Sequence, residues 1–296
     1  MKIGYPCINT SIGCTANSTF RLASYSEERL IETVDKNIDC LMKILRWNKE
    51  KGIMFFRIGS GIVPFASHPI CRFNWQRHFL DRFRQAGELV DETGMRVSTH
   101  PDQFIVLNSP DKDIVKRSIA ELQYHADFMD AMGLSGEMKI QLHVGGVYGD
   151  RESAMQRFAK TYRGLSESIK KRLVIEDDER MYSVKDCLKV SRMSGTGTKA
   201  GIPVIVDTLH HSCNNNGESI REAIESAAET WRKKDGTPIV DYSTQAKGEK
   251  KGKHAEHIDI NDFKGLLEKT KGLDFDIMLE IKDKEKSALK ALEVVR

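Results

Sequence analysis

Eight short apolar runs recur along the chain at helix-length intervals, and six of them stop at a histidine, aspartate or glutamate. The six are MRVSTH ending at His100, KIQLHV with His143, RLVIED with Glu176, PVIVDTLH with Asp207 and His210, PIVD ending at Asp241, and FDIMLE ending at Glu280. KIGYP at the N-terminus and GIMFFRIGS share the texture without a metal-type ligand. Runs of this length, rich in Val, Ile and Phe, read as buried parallel strands. Eight of them alternating with helices predict an α/β fold, a single (β/α)8 TIM barrel over residues 1–296, because such a barrel takes about 250 residues. Residues at strand C-terminal ends then belong to its active face.

The segments between the runs carry helical periodicity. Ser26 starts a helix with Leu30, Ile31, Val34, Ile38, Leu41 and Leu45 on one face. A second begins near Asn74 and is stopped by Gly94. Others are expected near 113–132, 152–170, 183–193, 219–231, 261–271 and 284–294. GTGTKAG, from Gly195 to Gly201, precedes a strand rather than joining strand to helix, so it reads as a turn and not a phosphate loop. Strand-to-helix loops one, three, six and seven are long.

Composition excludes little. The net charge is +3, and local excess says more: the stretch from Trp231 to Lys253 is lysine-rich, which predicts one basic rim. Six cysteines, with no C-x-x-C pair, argue against a disulfide framework or thiolate zinc site and fit reduced thiols in a cytoplasmic protein. No apolar stretch is long enough to span a membrane, and the N-terminus has no signal-peptide pattern.

A barrel converges its strand ends on one mouth, so His100, His143, Glu176, Asp207, His210, Asp241 and Glu280 would crowd together there. Packed carboxylates repel unless cations neutralise them, which makes a multinuclear metal site the natural resolution. Imidazole and carboxylate without thiolate suit manganese, zinc or iron. Clustered divalent ions serve phosphoryl displacement. The alternative for each residue alone is an ordinary polar strand terminus; the D-x-x-H of Asp207 and His210 is the most specific piece. His211 is expected to pack or face away, and His68, His78 and His125 lie in loop or helical patterns. Either His254 or His257 can reach back to the mouth, and His257 is favoured because it adjoins the Ile258–Asp259–Ile260 element that resumes order.

Two loops look built to grip an extended substrate. Loop three reads HPDQFIVLNSP and places Gln103 and Phe104 just beyond His100; loop one presents Tyr5 and Asn9. An amide and an aromatic together can wedge and stack against unpaired bases. Burial under loop three, beside Ile105, Val106 and Leu107, is the plainer fate for Phe104.

At these residues the chain resembles the UV damage endonuclease family: GYPCIN, NSTFRL, FFRIGS, STHPDQFIVLNSP, LVIEDD, DTLHH, VDYS and IMLEIKDKEKSAL follow in that order from Lys2 to Leu289. The resemblance implies a (β/α)8 barrel related to endonuclease IV that uses divalent metals, commonly manganese. It implies a nick in DNA immediately 5′ of UV photoproducts, leaving a 3′-hydroxyl. By motif match it puts His100, His143, Glu176, Asp207, His210, His257 and Glu280 on metal-ligand positions, and Tyr5, Asn9, Gln103 and Phe104 on lesion-probing positions. The probing pair is often Gln-Tyr, so Phe104 keeps the stacking face and loses a hydroxyl. Where some members carry a Lys-x-His with a modified lysine, this chain has Ile239-Val240-Asp241, with Asp241 replacing the histidine as ligand.

The expectation is therefore a monomeric DNA repair endonuclease acting on double-stranded DNA with UV lesions. Two or three divalent ions, manganese first with zinc or magnesium as alternatives, would be bridged by Glu176, with Glu176, Asp207 and Glu280 as catalytic carboxylates. Arg57 and lysines between Lys233 and Lys253 would contact phosphates. The rival readings are a manganese-dependent sugar isomerase or epimerase on the same barrel and a catalytically silent damage-binding module.

Overall fold

The computed structural model describes residues 1–195 and 201–295, so most of the predicted GTGTKAG turn lies outside the described residues. Eight parallel strands close into a barrel in sequence order. They are β1 (Ile3–Pro6), β2 (Phe55–Ile58), β3 (Arg96–Thr99), β4 (Lys139–His143), β5 (Leu173–Glu176), β6 (Val204–Asp207), β7 (Ile239–Tyr242) and β8 (Asp276–Leu279). The helices outside are α1 (Glu27–Lys51), α2 (Trp75–His78), α3 (Leu80–Thr93), α4 (Lys112–Ala131), α5 (Arg151–Arg163), α6 (Glu167–Lys170), α7 (Val184–Ser194), α8 (Thr208–Cys213), α9 (Ile220–Ala228), α10 (Ile260–Lys269) and α11 (Glu285–Val295). The predicted (β/α)8 barrel is what forms.

Local chemistry sets the element ends. The Ser26 side chain accepts from the Arg29 amide at the start of α1, and Gly52 closes that helix in the left-handed region at φ 76°. Leu30, Val34, Ile38, Leu41, Ile44 and Leu45 form its buried stripe, the 3.6-residue pattern of a helix laid on a sheet. Ser183 and Asp186 cap α7 reciprocally.

Strand alternation stacks the barrel interior in layers. Phe55, Val174, Ile205, Ile239 and Met278 form an apolar cluster separate from the main core. Two residues further along the same strands stand Arg57, Glu176, Asp207, Asp241 and Glu280, so one face of each strand passes from apolar to ionic as it reaches the mouth. The opposite end is closed by ion pairs, Arg96 to Asp276 and Lys139 to Asp235, both at 2.9 Å. Trp231 lies beneath both cations, 5.6 Å from the Arg96 guanidinium and 5.7 Å from the Lys139 ammonium.

Two expectations are corrected by this architecture. The cysteines are not all reduced: loop one folds across α1 and brings the Cα atoms of Cys14 and Cys40 to 5.9 Å, where they form a disulfide. Cys7, Cys71, Cys187 and Cys213 are free thiols. The lysine-rich stretch is not one loop, because β7 runs through it. Lys233 and Lys234 precede that strand and lie at the closed end; the exposed Lys247, Lys250, Lys251 and Lys253 follow it and belong to the mouth.

Candidate metal centre

Strands β3 to β8 each deliver a ligand-type side chain to the mouth. Among the described residues, three groups have potential ligand atoms within 4.8 Å of one another: His100, His143 and Glu176; Glu176, Asp207 and His210; Glu176, Asp241 and Glu280. Glu176 belongs to all three and is fully buried. Its Oε2 lies 3.1 Å from His100 Nε2 and 3.6 Å from His143 Nε2, while Oε1 lies 3.3 Å from His210 Nδ1. The His100 and His143 rings are 5.2 Å apart, and His143 and His210 are 5.7 Å apart.

Backbone carbonyls orient the imidazoles. His100 Nδ1 donates to the Pro101 carbonyl at 2.8 Å, which turns Nε2 toward the cluster. His254 does the same through the Glu280 carbonyl at 2.8 Å and points Nε2 at Glu280 Oε2, 3.7 Å away. Asp207 accepts from the His210 amide at 2.8 Å, so the D-x-x-H pair is also the cap of α8.

Burial and close charges shift the protonation of the cluster strongly. Burial alone would raise Glu176, but His143, His100 and His210 outweigh it and hold the carboxyl well below its usual range. Burial pushes Asp207 up to about 6, only partly offset by His210. Burial also raises Asp241 well above the carboxylate range, against the pull of Arg57. Burial opposes charge on His210 as well, yet Asp207 and Glu176 overcome it and raise that imidazole to about 12. Oxygens and nitrogens consequently sit buried with no hydrogen-bond partner: Glu176 Oε1, Asp207 Oδ2, Asp241 Oδ1 and His143 Nδ1. Orphaned acceptors in a pocket of imidazole and carboxylate are what bound divalent ions would satisfy, so these residues fit the group.

Of the residues singled out from sequence, His100, His143, Glu176, Asp207, His210, Asp241 and Glu280 are brought together. His257 is not. Its Nδ1 pairs with Asp283 at 2.8 Å and its side chain is 71% exposed, whereas His254 faces the cluster 5.9 Å from the His210 ring. The loop after β7 doubles back through a bridge between Gln245 and His254, with the Ala246 amide bonded to the Lys253 carbonyl at 2.7 Å, and this carries His254 into the mouth. His211 turns away, as expected, toward Glu218 at 3.6 Å.

The gripping residues divide. Phe104 is 69% exposed rather than packed under loop three, and Gln103 beside it is exposed as well. Tyr5 and Asn9 are buried: the Tyr5 hydroxyl donates to Asn48 Oδ1 on α1 at 2.7 Å and accepts from Asn9 Nδ2 at 2.8 Å. They shape loop one and present no face to solvent. Arg57 is buried too, paired with Asp241 at 2.8 Å and with Glu280, so its charge is spent inside the barrel and not on a phosphate. Sequence reasoning missed Gln141, whose amide bridges Glu176 and Asp241; its polarity inside an otherwise apolar run was the available signal.

The barrel and its mouth define an enzyme scaffold with a candidate multinuclear metal centre. Comparison with known proteins makes this specific. The family model described as UV-endonuclease UvdE matches residues 1–295, and the chain belongs to that family. It is 41% identical over 298 residues to the UV DNA damage endonuclease of Clostridium perfringens (strain 13 / Type A), covering 100% of this chain and 71% of the relative. It is 30% identical over 303 residues to that of Bacillus cereus (strain 03BB102), covering 99% and 94%. The crystal structure of SacUVDE superposes with a TM-score of 0.94 at 44% identity, over 100% of this chain and 98% of that one. A D-psicose 3-epimerase from Clostridium cellulolyticum H10 shares the fold alone, with a TM-score of 0.56 at 13% identity over 85% and 91% of the two chains. The chain is thus a DNA repair endonuclease that acts on damaged DNA. Among the described residues no helix is long and apolar enough to cross a membrane.

Proposed function

We propose that this endonuclease is metal-dependent and nicks the DNA backbone immediately 5′ of UV photoproducts, leaving a 3′-hydroxyl, with two or three divalent ions, manganese foremost. The observation that carries the reading is the sharing of Glu176 by all three His and carboxylate groups at an open barrel mouth. Divalent ions held by His100, His143, Glu176, Asp207, His210, Asp241, His254 and Glu280 would activate a water and offset the charge of the phosphate in an in-line displacement. The chain's own part is positioning. Glu176 spans the groups with both oxygens, and the carbonyls of Pro101 and Glu280 fix the tautomers of His100 and His254. Phe104 stands free at the rim, beside Gln103, to stack on a base that a distorted lesion releases at low cost. Lys247, Lys250, Lys251 and Lys253 line the same rim and supply phosphate contacts.

The test is incision of an irradiated duplex by the purified protein in manganese, mapped at nucleotide resolution, with the product's 3′ end assayed by polymerase extension. A nick 5′ of the dipyrimidine that a polymerase extends is expected. Absence of incision with manganese, magnesium, zinc or cobalt would overturn the reading, and tight binding without incision would make the chain a silent damage-binding module.

A further inference from the structure

We infer that Arg57 and Gln141 are positioning residues of the metal centre: together they hold one oxygen of each of Glu176, Asp241 and Glu280 and so fix how these three carboxylates face the ions. This rests on the metal-dependent reading above. Gln141, on β4 and 1% exposed, uses both ends of its amide. Its Nε2 donates to Glu176 Oε2 and, at 2.6 Å, to Asp241 Oδ2, and its Oε1 accepts from Arg57 Nη2 at 2.8 Å. Arg57, on β2, donates from Nη2 to Asp241 Oδ2 at 2.8 Å and from Nη1 to Glu280 Oε1. The held oxygens are thus Asp241 Oδ2, Glu280 Oε1 and Glu176 Oε2, the last of which also faces His100 and His143 Nε2 at 3.1 and 3.6 Å.

The remaining oxygens have a different fate. Glu176 Oε1 and Asp241 Oδ1 are buried without hydrogen-bond partners, and Glu280 Oε2 faces His254. A carboxylate with one oxygen fixed from beneath has lost its rotational freedom, and the other oxygen is aimed before any ion arrives. Arg57 suits the task because its planar fork reaches two carboxylates at once and keeps its charge when buried. Gln141 suits it because a neutral amide can donate to two anions and accept from a cation without adding charge. One arm comes from β2 and the other from β4, and they hold ligand-type residues of β5, β7 and β8, so the clamp ties five of the eight strands to one geometry. The same arrangement gives Asp241 its role: it reaches the centre through Oδ1 while Oδ2 belongs to the clamp.

The experiment measures manganese(II) dissociation constants by isothermal titration at fixed pH for the full chain and for Gln141→Leu, Gln141→Glu, Arg57→Met and Arg57→Lys. Metal-free melting temperatures and metal-free affinity for an irradiated duplex are measured in parallel. Removing a group that orients metal ligands typically weakens binding 10- to 100-fold. Gln141→Leu and Arg57→Met are expected to fall in that range, Arg57→Lys to recover part of the loss, and duplex affinity without metal to stay within about twofold. The EPR spectrum of bound manganese should change in Gln141→Leu, which a purely structural role would not cause. If Arg57→Met does not fold, the Gln141 variants carry the test alone. Manganese affinity within threefold of wild type in folded Gln141→Leu and Gln141→Glu would overturn the clamp. Failure of the wild-type chain to bind manganese would instead overturn the metal-dependent reading on which it rests.

Discussion

Phe104→Ala separates recognition from folding more cleanly than any other substitution at the mouth. The side chain is 69% exposed on loop three, so its removal takes little apolar surface out of the core; such surface changes stay within about 0.5 kcal/mol of stability. Base stacking on an aromatic is worth about 1–3 kcal/mol per base, and each 1.4 kcal/mol is about tenfold in affinity. Phe104→Ala should therefore weaken binding to an irradiated duplex by roughly 5- to 150-fold while the melting temperature and manganese affinity hold. Phe104→Tyr, which keeps the ring, should bind within about twofold of wild type, and Phe104→Leu should fall between. The assay is fluorescence anisotropy with irradiated and unirradiated duplexes of the same sequence at one salt concentration, since phosphate contacts make absolute affinities salt-dependent. The loss should be confined to the irradiated duplex. Equal weakening on both duplexes, or none on either, would refute the stacking role.

Other outcomes follow from the same structure. The Cys14–Cys40 disulfide closes a loop with a sequence separation of 26 residues, and loop-closure entropy then gives about 3.5 kcal/mol; urea unfolding of Cys14→Ser should lose stability on that order, and an unchanged midpoint under reductant would contradict it. Metal binding takes deprotonated ligands. His210, raised to about 12 chiefly by Asp207 against its burial, should thus release a proton at any working pH, and Asp207, raised to about 6 by burial, only below that pH. Titration of manganese in buffers of different ionisation enthalpy should show proton release falling by roughly one as pH rises through 6; a flat profile from pH 5 to 8 would rule this out. In the metal-free protein Asp207 holds its proton more tightly folded than unfolded, so its contribution to stability is full below the ordinary carboxylate range and is lost as pH rises through about 6. Urea midpoints should therefore drop across that interval without manganese and drop less with it.

The barrel was legible because strands buried on both faces have no reason to alternate, and their apolar runs stand out between amphipathic helices. The cluster was legible for a related reason: positions two apart share a face, so Val174 leads to Glu176, Ile205 to Asp207, Ile239 to Asp241 and Met278 to Glu280. What failed depended on contacts that only closure creates. Tyr5 is one residue from Gly4, whose position would set a Cβ 2.3 Å from the Phe55 carbonyl oxygen inside the barrel, so Tyr5 faces outward onto Asn48 of α1. Arg57 looked like a free cation until β7 and β8 came round to meet it. His254 outranks His257 because the loop after β7 folds back on itself, a pairing that no local pattern announces. Cys14 and Cys40 meet through the same kind of long-range folding, loop one over α1.

If Glu176 bridges a multinuclear centre, the number of ions the protein retains depends on that one side chain. Wild type and Glu176→Gln, both folded by circular dichroism, would be loaded with manganese, desalted and assayed by inductively coupled plasma mass spectrometry. All three candidate groups contain Glu176, so the wild type should retain two or three ions per chain and the variant at most one. A Glu176→Gln protein that retains the full wild-type complement would contradict the account.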